Sequence, residues 1–327
     1  MTDKTIKFSV NKEDDGNRLD LMLTKRIGSL TRSKLKKVIE SKNVKINNCI
    51  VSSPSKKVRL NENIVVSFFQ KENNKIEPFK TKIDVVYEDK DLLVINKPAG
   101  MVVHPGAGNF KKTLVNALVF KYKKKLSDIN GELRPGIVHR IDKETSGLLV
   151  VAKNNLAHSK LAKQFSEHTI ERKYLALVWG VIRPLKGKIE TLIARSKKNR
   201  QLMAVSEIKG KKAITNYSTQ KIYSINDVPK ISLVECKLET GRTHQIRVHM
   251  SHKGNPLLAD KQYGKKNIKF KKINKDFEKK INSLSGQTLH AKSLGFIHPN
   301  NNKFMNFESN LPKDYKKLLD LLNKLSN

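Results

Sequence analysis

A chain of 327 residues with 38% hydrophobic content can bury a sizeable core and fill one large domain plus a smaller one. Its 66 Lys and Arg against 30 Asp and Glu give a formal charge of +36, spread from Lys34 to Lys324, which implies a polyanionic partner, nucleic acid first, although AT-rich codon bias also enriches lysine. Cys49 and Cys236 form no CxxC pair, no signal-peptide core follows Met1, and no stretch approaches the roughly 18 apolar residues of a membrane span, so disulfide scaffolds and membrane proteins are excluded and a soluble, cytoplasmic chain is expected.

Leu19, Leu23 and Ile27 recur at every fourth position and predict an amphipathic helix from Arg18 to Ile27. Thr31 is placed to cap a second helix, in which Leu35, Val38 and Ile39 form the apolar face while Arg32, Lys34, Lys36 and Lys37 are free to point outward. Val44-Lys45-Ile46 then alternates, Asn47-Asn48 tolerates positive φ, and Ile50-Val51 resumes the apolar pattern, which predicts a hairpin. This small domain, residues 1–70 with a core at about 16–66, closes near Val66. The polar segment 71–82, with Pro78, reads as a linker to a larger domain at 83–327.

There the runs DLLVINKP, LLVVAK and KYLALVWGVI, starting at Asp91, Leu148 and Lys173, are rich in β-formers, and NNLAHSKLAKQFSEH from Asn154 has helical spacing. Neighbouring strands without regular βα alternation predict an α+β fold with a mixed, mostly antiparallel sheet and flanking helices. The lysine-dense stretch at about 265–284 reads as an insertion of helical character, its apolar positions being Ile268, Phe270, Ile273 and Phe277.

Four strings carry candidate chemistry. In RPGIVHRIDKETSGLLVVAK, from Arg134, a Pro-Gly turn leads to His139, Arg140 and Asp142 just before a strand; if Ile137, Val138 and Ile141 pack inward, the Asp142 carboxylate is held at the rim of a cleft. An Asp after an Arg, taken alone, is more often a surface or capping residue. In ETGRTHQIRVHMSHKGNPLLAD, from Glu239, Gly241 permits a tight turn and Arg242, His244 and Arg247 are dense in donors, with Tyr263 following in an ordered loop. A metal on His244, His249 and His252 is disfavoured, because HExxH, acidic runs and cysteine pairs are missing and the arginines would repel a cation. ERKYLALVWG places Tyr174 at the start of an alternating strand, where the plain reading is a half-buried strand tyrosine. NKPAGMVVHPGAGN, from Asn96, is a Gly/Pro-rich loop with His104 and is neither a P-loop nor a GxGxxG turn.

The helix, basic helix and hairpin, opening on Arg18-Leu19-Asp20, resemble the S4 RNA-binding domain. GIVHRIDKETSG resembles the HRLD-type motif of the RluA family of pseudouridine synthases, with Ile141 in place of the usual leucine; NKPAGMVVHPGAGN, RKYLALVWG and GRTHQIRVHM match in the same order. The resemblance spans nearly the whole chain and is strongest to the D branch of that family, which acts on large-subunit ribosomal RNA. It implies a pseudouridine synthase catalytic domain in which Asp142 attacks C1′ of the ribose or the base, Arg247 pairs with Asp142, Tyr174 stacks on the uracil and moves a proton, and Arg140 fills the gap left by a flipped base. His139, Arg242 and His244, with Arg32, Lys36 and Lys37 of the small domain, are the expected RNA contacts. Ribosomal RNA, free or in an assembling particle, is the expected partner, with no cofactor, no metal, no nucleotide and a monomeric state.

Two other classes remain open to the sequence. One is a non-catalytic RNA-binding ribosome-assembly factor. The other is an N-glycosylase, in which Glu144, sharing a strand face with Asp142, would activate water. Within the family, a sister enzyme acting on other large-subunit uridines is a further alternative.

Overall fold

The computed structural model describes residues 4–28, 30–68, 76–106, 108–123, 125–226, 228–264 and 275–326. The chain divides into two units, Met1–Lys75 and Ile76–Asn327.

The first unit consists of β1 (Lys4–Ser9), α1 (Leu19–Ile27), α2 (Arg32–Glu40), β2 (Val44–Ile46), β3 (Cys49–Val51) and β4 (Asn63–Phe68). Its strands form one antiparallel sheet in the order β1-β4-β2-β3. Leu19, Leu23, Leu35 and Ile39 of the two helices pack against Val44, Ile46, Ile64 and Val66 of the sheet. Asn47 and Asn48 take φ of 48° and 64°, the left-handed pair that a two-residue hairpin turn requires. Thr31 stands at the N-cap of α2, but its side chain makes no capping bond. Strand β1 lies outside the expected core of 16–66; its partner β4 is nearly 60 residues away in sequence, and register Lys4↔Phe68 to Ser9↔Asn63 makes it an integral edge of the sheet.

The second unit runs β5 (Val85–Glu88), β6 (Leu92–Lys97), α3 (Leu114–Tyr122), β7 (Ser146–Ala152), α4 (Asn155–Ser166), β8 (Glu171–Trp179), β9 (Lys186–Arg195), β10 (Met203–Ser206), β11 (Lys211–Tyr223), β12 (Ile231–Leu238), α5 (Gln245–His252), α6 (Lys275–Asn282), β13 (Leu289–Ile297), β14 (Phe304–Glu308) and α7 (Lys313–Leu325). The sheet order is β10-β9-β11-β12-β8-β13-β7-β6-β5, with β14 also on β13. The described pairings are antiparallel except β13 with β7, where His290↔Ser146 and Ala291↔Gly147 run parallel. The sheet is therefore mixed and mostly antiparallel, and the fold is α+β.

Both faces of this sheet are covered. Leu149 and Val151 of β7 join a core containing Leu114 and Leu118 of α3 and Ile246 and Met250 of α5. Leu148, Val150 and Ala152 point the other way, onto Ala157 and Leu161 of α4. That is why LLVVA reads as an unbroken apolar run: a strand buried on both faces has no polar side to alternate with. Strand β8 divides likewise, Ala176 and Val178 facing α5 while Leu177 and Trp179 face Phe277 of α6 and Leu318 and Leu322 of α7.

One boundary differs from the sequence reading. Residues 76–82 of the expected linker belong to the second unit, where Ile76 packs on the core and the Phe79 amide donates to Asn116 O at 3.0 Å. Of the lysine-dense stretch, 265–274 lie outside the described residues; Lys275–Asn282 form the helix α6, fastened by the fully buried Phe277. Among the described residues no helix is long and apolar enough to cross a membrane.

Candidate active site

The segment from Ile137 to Thr145 enters β7 as a turn. Ile137 and Ile141 bury into one side of the sheet and Val138 packs on the other, so the chain is clamped on either side of Arg140 and again just before Asp142. The Thr145 amide closes the turn on Asp142 O at 3.2 Å. Behind it, the fully buried Lys97 at the end of β6 donates to Pro98 O and Met101 O at 2.8 Å and to Lys143 O at 3.0 Å. One ammonium thus ties the loop after β6 to the loop that carries Asp142. Burial pushes the Lys97 ammonium down to about 7, against the pull of Glu144 and Asp142.

Asp142 and Glu144 both lie in this turn rather than on a strand, so the expected shared strand face does not exist. Glu144 is wedged against Gly286, where an added Cβ would come within 2.5 Å of its side chain, and its buried Oε2 has no hydrogen-bond partner among the described residues.

Asp142 borders a cleft of about 270 Å³ that also receives Arg140, Tyr174, Arg242, His244 and Arg247. Arg247 is one helical turn into α5. Its Nη1 donates to Asp142 Oδ2 at 3.1 Å, while Nε and Nη2 grip Asp260 at 2.8 and 2.9 Å and Nη2 also donates to Gln262 Oε1 at 2.8 Å. Burial by itself would lower the guanidinium, but Asp260 and Asp142 outweigh it and hold its pKa above the ordinary value. Asp260, whose side chain is fully buried, is pushed upward by burial, yet Arg247 and the amides of Tyr263 and Gln262 bring it below the usual carboxylate range. The fork on Asp260 fixes the guanidinium plane and leaves the Nη1 group to aim Asp142.

His244 holds the left-handed N-cap position of α5 at φ 57°. Its Nε2 lies 3.7 Å from Asp142 Oδ1, and its Nδ1 meets the Tyr263 hydroxyl at 2.8 Å. That hydroxyl accepts the Met203 amide at 2.9 Å, so β10, the α5 entrance and the loop after Asp260 converge on one oxygen. Burial lowers the His244 pKa, Asp142 opposing, and the imidazole is neutral at pH 7.

Tyr174, 7% exposed, projects from β8 into the same cleft, and burial holds its phenol above the usual pKa while Arg172 draws it down. Arg140 is exposed at the rim. Arg242 donates Nε to Lys212 O at 2.8 Å and also lines the cleft.

His139 also lines the cleft, and its ring is engaged within the protein. Its Nε2 accepts the Val150 amide at 3.0 Å, its ring stacks on Phe165 at 4.4 Å, and burial drives it down to about 3, so it is a neutral strut of β7. His249 is also structural: Thr191 and Thr215 hydroxyls meet its two ring nitrogens at 3.0 and 2.9 Å, and it cannot join His244 on a metal. In the first unit Arg32 does not point freely outward; its Nε and Nη2 hold the buried Asp20 at 2.9 and 2.8 Å beside Arg18. Lys36 sits 3.7 Å from Glu40, and Lys37 is exposed.

Sequence reasoning passed over Asp260, Lys97 and Arg172. Nothing local marks Asp260 as the anchor of Arg247. Arg172 carried a usable signal, since it stands two residues before Tyr174 and a strand's period of two sets both on one face.

Asp89, Asp91 and His298 bring candidate metal-ligand atoms within 4.8 Å of one another. These atoms are engaged by one another and by protein donors: Asp89 accepts the amides of Asp91 and Leu92 and the Tyr87 hydroxyl and lies 2.8 Å from His298 Nε2, and Asp91 accepts from Asn154 and Asn300. The group braces the β5–β6 turn and does not border the cleft.

The sequence profile described as RNA pseudouridylate synthase matches residues 91–252, the span that holds Asp142, Tyr174 and Arg247. The chain is 44% identical to ribosomal large subunit pseudouridine synthase D of Zymomonas mobilis, covering 97% of this chain and 98% of the relative. It is 40% identical to an RNA pseudouridine synthase of Bacillus subtilis, covering 98% of each. The solved structure of human RNA pseudouridylate synthase domain containing 4 superposes with a TM-score of 0.56 at 25% identity, over 73% of this chain and 93% of that one. With such identity along the whole length, the chain belongs to the RNA pseudouridylate synthase family and is an isomerase that converts uridine in RNA to pseudouridine.

Proposed function

We propose that the chain isomerises uridine in large-subunit ribosomal RNA, in the stem-loop that faces the decoding region, with Asp142 as the nucleophile. The observation that carries the reading is the carboxylate of Asp142 aimed into the cleft by an Arg247 that is itself locked on Asp260. The full-length similarity to a relative named for the large ribosomal subunit supports the substrate.

The reaction exchanges an N1–C1′ bond for a C5–C1′ bond and moves one proton from C5 to N1, so atoms and electrons balance without a co-reactant. Asp142 adds to C1′ as the glycosidic bond breaks; the carboxylate is a competent nucleophile there and a tolerable leaving group later. Neutral His244, 3.7 Å from the other carboxylate oxygen, borders the site without offsetting the anion. The freed uracil turns against the Tyr174 ring and returns its C5 to C1′. Tyr174, whose phenol burial keeps protonated, gives its proton to N1 of the freed uracil and takes the C5 proton in its place, so that the phenol is restored at the end of the cycle. A uridine can reach this cleft only outside its stack, at a cost of a few kcal/mol, and Arg140 at the rim is placed to occupy the gap. The first unit acts as an S4-like RNA-binding domain through the basic face of α2, where Lys34, Lys36 and Lys37 are exposed.

The test is to incubate the purified protein with unmodified large-subunit RNA and with its isolated stem-loops, and to map pseudouridine by carbodiimide labelling and primer extension. New stops in the stem-loop facing the decoding region are expected. Stops only elsewhere would move the activity to a sister site. Release of free uracil would replace the isomerase reading with an N-glycosylase.

A further inference from the structure

Arg172 is 7% exposed and lies on the wall of the active-site cleft, two residues before Tyr174 on β8. Its guanidinium is held between two flat surfaces. Cζ lies 5.5 Å from the centroid of the Phe165 ring, and on another side Nη1 lies so close to Gly241 that a Cβ there would come within 2.6 Å. The Phe165 ring is in turn fixed by the stacked His139. Yet among the described residues no carboxylate pairs with this cation. Its buried Nε has no hydrogen-bond partner among the described residues, and its titratable neighbours are the Tyr174 phenol, which burial keeps un-ionised, and a second cation, Arg242.

A buried charge is costly unless it is paired. The carboxylate on the cleft, Asp142, is engaged by Arg247, while Arg140, Arg172 and Arg242 line the same cleft. The cleft therefore carries a surplus of positive charge at its wall, and Arg172 is pre-positioned there. In RNA the formal anion is the phosphodiester. A uracil carbonyl can accept a hydrogen bond but leaves the charge uncompensated.

We propose that Arg172, with Arg242 beside it, seats a backbone phosphate flanking the nucleotide whose base enters the cleft. This rests on the pseudouridine synthase reading and adds to it the contact that holds the target nucleotide's backbone while the base turns. Gly241 is then glycine because a side chain there would displace the guanidinium from its seat.

The experiment uses the full chain and a synthetic RNA stem-loop that the wild-type protein modifies. It compares RNAs bearing a neutral methylphosphonate at the phosphate 5′ or 3′ of the target uridine with wild-type protein, Arg172→Gln and Arg172→Lys. At one of the two positions the neutral linkage raises KM at least tenfold for wild type. Arg172→Gln raises KM on normal RNA by a similar factor, and its loss falls on KM more than on kcat. The salt slope of log(kcat/KM) flattens by about 0.7 to 0.9, the release expected for one phosphate. On the neutral RNA, Arg172→Gln loses little more, and Arg172→Lys recovers most of the loss on normal RNA. Losses from the variant and the neutral linkage that multiply at both positions would overturn the proposal, as would an unchanged salt slope. If Arg172→Gln does not fold, the decision rests on wild type: indifference to a neutral linkage at both positions overturns the proposal, and a loss at one that Arg172→Lys shares supports it. Failure of wild type to make pseudouridine in any RNA would instead strike at the underlying reading.

Discussion

Arg247 serves two carboxylates with one guanidinium. Asp260 takes the fork and Asp142 accepts from Nη1, and because the side chains of Arg247 and Asp260 are 5% and 0% exposed, neither can turn to water if its partner is lost. Replacing Asp260 with alanine therefore leaves a buried cation half paired, and the expected cost is about 3–5 kcal/mol of stability. Urea denaturation checks it, and kcat should fall as well because the group that aims Asp142 has lost its anchor. An unchanged midpoint would mean that Asp142 alone suffices to hold Arg247. The candidate site was legible at this scale where residue type and chemistry coincide, as with Asp142, Arg247 and Tyr174. It was not legible where the partner is distant and ordinary: Asp260 sits 13 positions after Arg247 in a stretch that reads as a loop, and Lys97 reads as one lysine among many although its Nζ is saturated by three carbonyls. His139 has a partner of the same kind. A histidine beside the nucleophile looks like a ligand contact, and its Nε2 also accepts the backbone amide of Val150.

Elements whose apolar pattern is written locally, namely α1, α2, the β2–β3 hairpin, α4 and β6 to β8, could be read from spacing. The helix α5 could not, because Gln245 through Met250 are all buried and its polar side chains point inward to partners: Gln245 to Thr215 and Ile214, Arg247 to Asp260, His249 to Thr191 and Thr215. A helix with polar groups on its buried face has no amphipathic signature. The parallel contact of β7 with β13 is equally silent in sequence, and it depends on Gly147. That residue takes φ +111° and its missing side chain lets Ala291 approach; a Cβ would stand 2.6 Å from Ala291 N and nearer still to Ala291 O. Gly147→Ala should cost at least about 1–3 kcal/mol from backbone strain alone, with the clash adding to it. Because β7 begins four residues after Asp142, activity should fall in step. Thermal unfolding and turnover measured on the same preparation check this, and a variant with wild-type stability would show that the strand can shift without loss.

Among the described residues of the second unit, burial lowers several histidines, four of them furthest. Burial pushes His104, His249 and His290 down to about 4 and His139 to about 3. In the unfolded chain each titrates near 6.5. Between pH 6.5 and pH 4 the unfolded state therefore binds protons that the folded state refuses, and stability rises with pH through that window and falls as pH drops. At pH 5 unfolding should take up roughly three to four protons from these side chains alone. The slope of unfolding free energy against pH, from urea denaturation at closely spaced pH values, gives that number directly. A flat profile between pH 6.5 and 5 would mean that the histidines are charged in the folded protein, which would undo the structural roles assigned to His139 and His249. The surplus of positive charge belongs to this scale too, since +36 over 327 residues was evident from composition, whereas its concentration around the cleft required the fold.

The central claim is that the carboxylate of Asp142 makes the covalent attack, and Asp142→Asn tests it most directly. The amide keeps the shape and a hydrogen bond to Arg247 while removing the nucleophile. With saturating protein and unmodified large-subunit RNA, the variant should bind RNA as wild type does and form no pseudouridine in a single turnover. Pseudouridine formed by Asp142→Asn at a rate approaching wild type would contradict the account.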